Sequence, residues 1–213
     1  MTSIEPFDWG PERRLVLGLA GRVGVFAQYV IDANEREQRR ASEMVHLAVD
    51  GAGLTVEEFV DRLSANDHKA ELLAMAVEAA RRAQLAAKVR ALAGALAAGV
   101  LANDDAAIAD AQLIVATLRD LDAPHISAML QILAAGEDER RYPITVVRQA
   151  FGDNQAAAEA LVAALVREGV MGVPPKTGLG FSPDPVEITA YGERVLAFLQ
   201  DPNLGTAGTA EPE

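Results

Sequence analysis

The side chains best suited to proton transfer or metal ligation near neutral pH are the three histidines, His46, His68 and His125. They stand far apart, and none lies in an HExxH pair that would set two ring nitrogens on one helix face for zinc. They read as surface or helix-end groups, with His125, just after Pro124, placed at a helix start as a local hydrogen-bond donor. The chain has no cysteine, which excludes a thiolate nucleophile, a thiolate zinc site and a disulfide. None of Ser3, Ser42, Ser64, Ser127 and Ser182 occupies a Gly-x-Ser-x-Gly elbow. Glu35, Glu37 and Glu43 lack the repeated Glu-x-x-His spacing of a di-iron bundle. Glu57-Glu58 and Asp104-Asp105 fall in first turns of helices, where a carboxylate complements the helix dipole. Gly178-Leu179-Gly180 follows Lys176-Thr177 with no helix start behind it, so it reads as a tight turn rather than a phosphate loop. No catalytic residue, metal site or cofactor is expected, and the chain reads as a non-enzyme.

Charge bounds the partners. The 19 basic and 31 acidic residues leave a net charge of −12, which repels a nucleic-acid backbone unless a local patch overrides it. Arg36, Arg39 and Arg40 form one candidate anionic-surface patch. Interleaved Glu35, Glu37 and Glu43 lie within a turn, so this face is expected to neutralise itself.

These residues need elements to position them. Half of the residues are hydrophobic and only 5% are aromatic, with abundant alanine, a composition for closely packed helices. Residues 1–10 read as a tail without the basic and apolar regions of a signal peptide. Residues 11–135 read as an all-α bundle. Within it, 15–33 is an apolar run broken by Arg22, with Gly18, Gly21 and Gly24 drifting along one side. A helix–helix contact inside a soluble core is the preferred reading of that run. Contact with a lipid interface is the lesser alternative, and a membrane span is disfavoured by the central arginine. A break is expected at 51–53. Thr55 and Glu58 make a capping box, and Asn66 or Asp67 opens a helix running from about 68 to 101 with Leu85, Val89, Leu92 and Leu96 as one buried stripe. Asn103-Asp104-Asp105 caps the next helix, and 125–134 forms a last short one. No internal repeat at a fixed period is visible. Residues 136–141 read as an acidic hinge, and 201–213 as a disordered acidic tail.

The span 142–200 reads as helix, polar turn at 152–154, second helix at 155–168, a Pro/Gly-rich excursion at 173–185 and a closing helix. That is the winged order, with a small β-wing. Where a reading helix would present polar side chains to base edges, this one offers Gln155, Ala156, Ala157, Ala158, Glu159 and Ala160. The span carries four basic residues, Arg148, Arg167, Lys176 and Arg194, against six acids, a net charge of −2. Asn154, Gln155, Arg167 and Lys176 are the candidates for contact with DNA or a partner.

The segments "LVAALVREGVM" at 161–171 and "EITAYGERVLAFL" at 187–199 resemble the helix end and the strand-to-helix step of the winged-helix superfamily. The wider order, with "LRDLDAPHISAMLQIL" before the winged part, is similar to the abortive-infection alpha group of bacterial proteins. The first resemblance implies a winged fold. The second implies a role in phage defence or a toxin-like interaction, with no catalytic residues to carry over. The expected function is a cytoplasmic protein-interaction module that docks a protein partner or a second copy. The alternative is a DNA-binding transcriptional regulator, which the charge disfavours.

Overall fold

The computed structural model describes residues 35–140, 142–172 and 187–200, and the fold is mainly all-α. The expectations for 1–34, the glycines at 18, 21 and 24, the wing tip with Lys176, and the tail lie outside the described residues. In chain order the elements are α1 (Glu35–Ala52), α2 (Val56–Ser64), α3 (Asp67–Arg82), α4 (Ala86–Leu101), α5 (Asp105–Asp120) and α6 (Ala123–Ala134). Then come α7 (Glu137–Arg140), α8 (Pro143–Ala150), α9 (Gln155–Arg167), β1 (Met171–Gly172), β2 (Glu187–Ile188) and α10 (Ala190–Gln200).

Local chemistry sets most helix starts. Thr55 accepts from the Glu58 N–H, and the Glu58 carboxylate accepts from the Thr55 N–H at 2.9 Å, the reciprocal capping box. Those bonds hold the Glu58 carboxyl below its usual range. Asn66 caps α3 and Asp104 caps α5 through their side-chain oxygens. α1 stops at Ala52, and Gly53 follows at φ +64°, a left-handed step that glycine adopts without penalty.

The helix expected from 68 to 101 is two helices. Ala83 and Leu85 are both extended, so the chain reverses between α3 and α4. One continuous helix would be about 50 Å long and could not fold back on itself. Broken at 83–85, the two halves bury against each other. The single-stripe expectation fails for the same reason. Leu85 sits outside α4, and α4 is buried on every side from Ala91 through Leu92, Ala95 and Leu96 to Val100, with Arg90 exposed near its start. A helix apolar all round belongs in a core. α1, α3, α5 and α10 surround it, and its small residues let them approach closely.

Three successive helices, α3, α4 and α5, each have 16 residues and start at 67, 86 and 105. Lys69 and Lys88 hold the same third position in the first two. Each donates to the terminal carbonyls of the following antiparallel helix: Lys69 Nζ to Val100 and Ala102, both at 2.7 Å, and Lys88 Nζ to Leu121 at 2.7 Å and Arg119 at 3.3 Å. An ammonium there satisfies orphan carbonyls and meets the negative end of the helix dipole. The even stagger is structural, with little sequence identity behind it.

Gly99 lies where α4 meets α3 and α5. A Cβ there would stand 2.2 Å from Leu72 Cδ2 and 3.0 Å from the Ala111 Cβ. Leu72 is fully buried, so its side chain must be displaced within the core. Gly99→Ala is therefore expected to destabilise the fold by about 1–2 kcal/mol despite alanine's better helix propensity, read as a lower urea midpoint.

The stretch expected as an acidic hinge contains the helical turn α7. Arg140 Nε donates to the Ala135 carbonyl at 2.9 Å, and its guanidinium also reaches Leu133, so it covers the end of α6. α8 and α9 pack against α6, while α10 packs against α4. The buried apolar side chains form one continuous cluster from Ala41 in α1 to Leu199 in α10.

Candidate interaction surface

α8 ends at Ala150, and the chain turns through Gly152 at φ +71° and Asp153 at φ +59° into α9. Asn154 is the N-cap of α9, its side chain accepting from the Ala157 N–H at 3.1 Å. Gln155 donates from Nε2 to Glu159 Oε1 at 2.6 Å and accepts from the Arg148 guanidinium at 3.4 Å. Arg148 Nε stands 3.7 Å from Asp153 Oδ1. The polar groups at the start of α9 thus bind one another, through Arg148 and two carboxylates. Beyond them α9 presents exposed Ala156, Ala160 and Ala163.

β1 and β2 pair antiparallel, Met171 with Ile188 and Gly172 with Glu187, so the order helix, turn, helix, strand, strand, helix is present. The step into α10 rests on Thr189. Its hydroxyl donates to the Gly169 carbonyl at 2.7 Å and accepts from the Gly192 N–H at 2.8 Å, while its N–H donates to Val170 O at 3.0 Å.

α10 is fastened to the bundle. Tyr191 Oη lies 2.6 Å from the Thr117 hydroxyl and donates to the Leu113 carbonyl at 3.0 Å. Burial pushes the Tyr191 phenol above its usual range. Arg194 pairs with Asp110 through both guanidinium ends. Removing the hydroxyl in Tyr191→Phe leaves Thr117, which is buried, without that partner. The expected loss is about 1 kcal/mol, with faster amide hydrogen exchange in α10 than in α3.

The candidate residues of the winged span are occupied locally. Asn154 is a cap, Gln155 belongs to the polar network, and Arg167 pairs with Glu168 at 3.1 Å. The second candidate set differs from expectation. Glu37 does not neutralise its own helix; it pairs with Arg81 of α3 at 3.4 Å. Arg39 is exposed and Arg40 half-buried, and neither has an ion-pair partner among the described residues. Arg36 lies in α1, its side chain outside the described residues. Arg90, exposed near the start of α4, belongs to neither candidate set.

His125 corrects another expectation. Its Nδ1 accepts from the Asp122 N–H at 3.1 Å, taking the place of a capping-box carboxylate rather than donating. His68 is exposed, and its carbonyl accepts from Gln112 at 3.0 Å. Lys88 is a buried amine that burial pushes below its usual range, but its hydrogens are committed to helix-end carbonyls. Among the described residues no group of three or more His, Asp or Glu is placed to hold a metal, and no helix is long and apolar enough to cross a membrane. The large apolar side chains exposed among the described residues are Leu113 and Tyr142. No protein-family model, curated protein or solved structure matches this chain.

Proposed function

We infer that this chain is a non-enzymatic, cytoplasmic protein-interaction module of a bacterial regulatory or phage-defence system, in which the outer face of α9 docks another polypeptide or a second copy. One observation carries the reading: the polar groups at the start of α9 are already bonded to one another and to Arg148, and the exposed residues among and beyond them, Ala156, Ala160 and Ala163, are alanine as far as Arg167, which pairs with Glu168. To read a base edge, Gln155 must leave both Glu159 and Arg148, and the approaching phosphates meet Asp153 and Glu159. A second helix meets no such opposition, since alanines let backbones approach closely. The bacterial and defence context comes from the resemblance to the abortive-infection group.

The order of elements from α8 to α10 favours a second reading, a DNA-binding regulator with Asn154, Gln155, Arg167 and Lys176 nearest the duplex. Two measurements separate the readings. Fluorescence anisotropy with duplex DNA across a salt series is expected to show no binding; tight binding with a steep salt slope selects the regulator. Light scattering of the wild type and of Ala160→Arg tests docking to a second copy. Loss of a wild-type dimer in a folded variant supports self-association through α9. A dimer unchanged by Ala160→Arg removes α9 as the contact.

A further inference from the structure

Where α5 turns into α6, a single peptide unit is held at both ends by ionisable side chains. Its carbonyl, that of Leu121, accepts from the Lys88 ammonium at 2.7 Å. Its N–H, that of Asp122, donates to His125 Nδ1 at 3.1 Å. In return the Asp122 carboxylate takes the backbone N–H of His125, and the Asp122 carbonyl accepts from the Ile126 N–H at 3.1 Å. The corner is therefore also the first turn of α6. α8 and α9 pack against α6, so this turn helps to fix both on the bundle.

The Thr55 capping box uses Glu58 in the position that His125 fills here. A carboxylate there remains an acceptor through the neutral and mildly acidic range. An imidazole accepts at Nδ1 only while that nitrogen carries no proton, and once charged it is a donor at both nitrogens. Histidine is the side chain whose ordinary charge change falls between about pH 5 and 8.

The charged groups around the corner are mostly paired. Arg119 holds Asp120 at 2.9 Å, Arg167 at the end of α9 holds Glu168 at 3.1 Å, and Glu78 of α3 pairs with Arg82 at 3.3 Å. Arg148 of α8 stands beside Asp153, while Glu139 and Arg140 of α7 bond the chain at the far end of α6. Lys88 and Asp122 remain, the first opposing a positive ring and the second favouring it. The bond and the helix then decide. A charged ring loses the Asp122 N–H and stands at the positive end of α6.

We propose that His125 is a pH-sensitive cap: the neutral ring closes the corner between α5 and α6, and its protonation releases the Asp122 N–H and loosens the first turn of α6. The unfolded chain has no such bond, so the stabilisation is present above the histidine range and is lost as pH falls through it.

Amide hydrogen exchange by nuclear magnetic resonance on the full chain tests this, with protection at Asp122 and Ile126 compared at about pH 7.5 and about pH 5.5. In the wild type, protection at both amides is expected to fall about fivefold on acidification, the effect of losing one cap. His125→Gln keeps an acceptor that does not titrate, so the drop is expected to vanish while protection at neutral pH is retained. His125→Ala is expected to be weakly protected at both pH values. Long-range proton–nitrogen correlation on the wild type is expected to find the neutral ring's proton on Nε2. Protection that is unchanged or rises on acidification, a drop that persists in His125→Gln, or a neutral ring protonated at Nδ1 overturns the proposal. Should a variant fail to fold, the wild-type exchange and ring tautomer decide by the same outcomes.

Discussion

Gly192→Ala is expected to abolish cooperative folding of the C-terminal helices, at a cost of about 3 kcal/mol or more. A Cβ at Gly192 would lie 2.0 Å from the Val170 carbonyl oxygen, 2.9 Å from its carbon and 3.0 Å from Ile188 Cγ2. The first two obstacles are backbone. Val170 O is fixed because it accepts from the Thr189 N–H, and Val170 itself is buried. To admit a methyl group, α10 must move off the end of α9. That breaks the Thr189 bonds to Gly169 and Gly192, and loosens Val195, Leu196 and Leu199 in the core. Alanine's better helix propensity, about 1 kcal/mol, does not offset this. The control is Gly152→Ala. Gly152 has φ +71° and nothing within 4 Å of a Cβ, so it pays conformational strain alone, about 1 kcal/mol. Urea denaturation of both variants checks the pair. Equal midpoints would mean that the helix start at Thr189 relaxes freely and that α10 is not wedged against Val170.

The residues that make this contact were legible as a pattern. The Thr-x-x-Gly step at 189–192 shows in the sequence because the cap needs a hydroxyl and the close approach needs a glycine. Capping signals at Thr55 and Asp104 were legible for the same reason: they act within four residues. What could not be read depends on residues distant in the chain. Ala83-Gln84-Leu85 carries no glycine or proline, and it breaks the helix because α4 gains more by burial on all sides than a continuous helix would gain by propensity. The spacing sets Glu37 against the arginines of its own helix, because spacing alone cannot show that Arg81 lies across from it. Gln155 looked free for base contact because a sequence does not reveal that Arg148 and Glu159 flank it.

Lys88→Met is expected to cost about 2–3 kcal/mol, the second large effect. Methionine keeps most of the buried stem, so little volume is lost. What disappears is the donor to Leu121 O and Arg119 O, and with it the positive charge at the negative end of α5. Leu121 is fully buried, so water cannot take the vacant place without opening the corner between α5 and α6. Lys69→Met removes the equivalent bonds to Val100 and Ala102 at a half-exposed site, where water can replace the ammonium, so about 1 kcal/mol is expected there. Alkaline titration separates the charge from the bond. Burial lowers the Lys88 value in the folded protein, ahead of the opposing pull of Asp122 and Asp120. Between that lowered value and the usual lysine range, the unfolded chain binds more protons than the folded one. Stability therefore rises with pH across this window and is flat below it, where the ammonium is charged in both states. The difference between wild type and Lys88→Met, measured by urea denaturation from neutral into alkaline solution, should widen in favour of the wild type across the window. A difference that narrows there would mean that the ammonium is stabilised in place, with the carbonyls and the α5 dipole outweighing its desolvation.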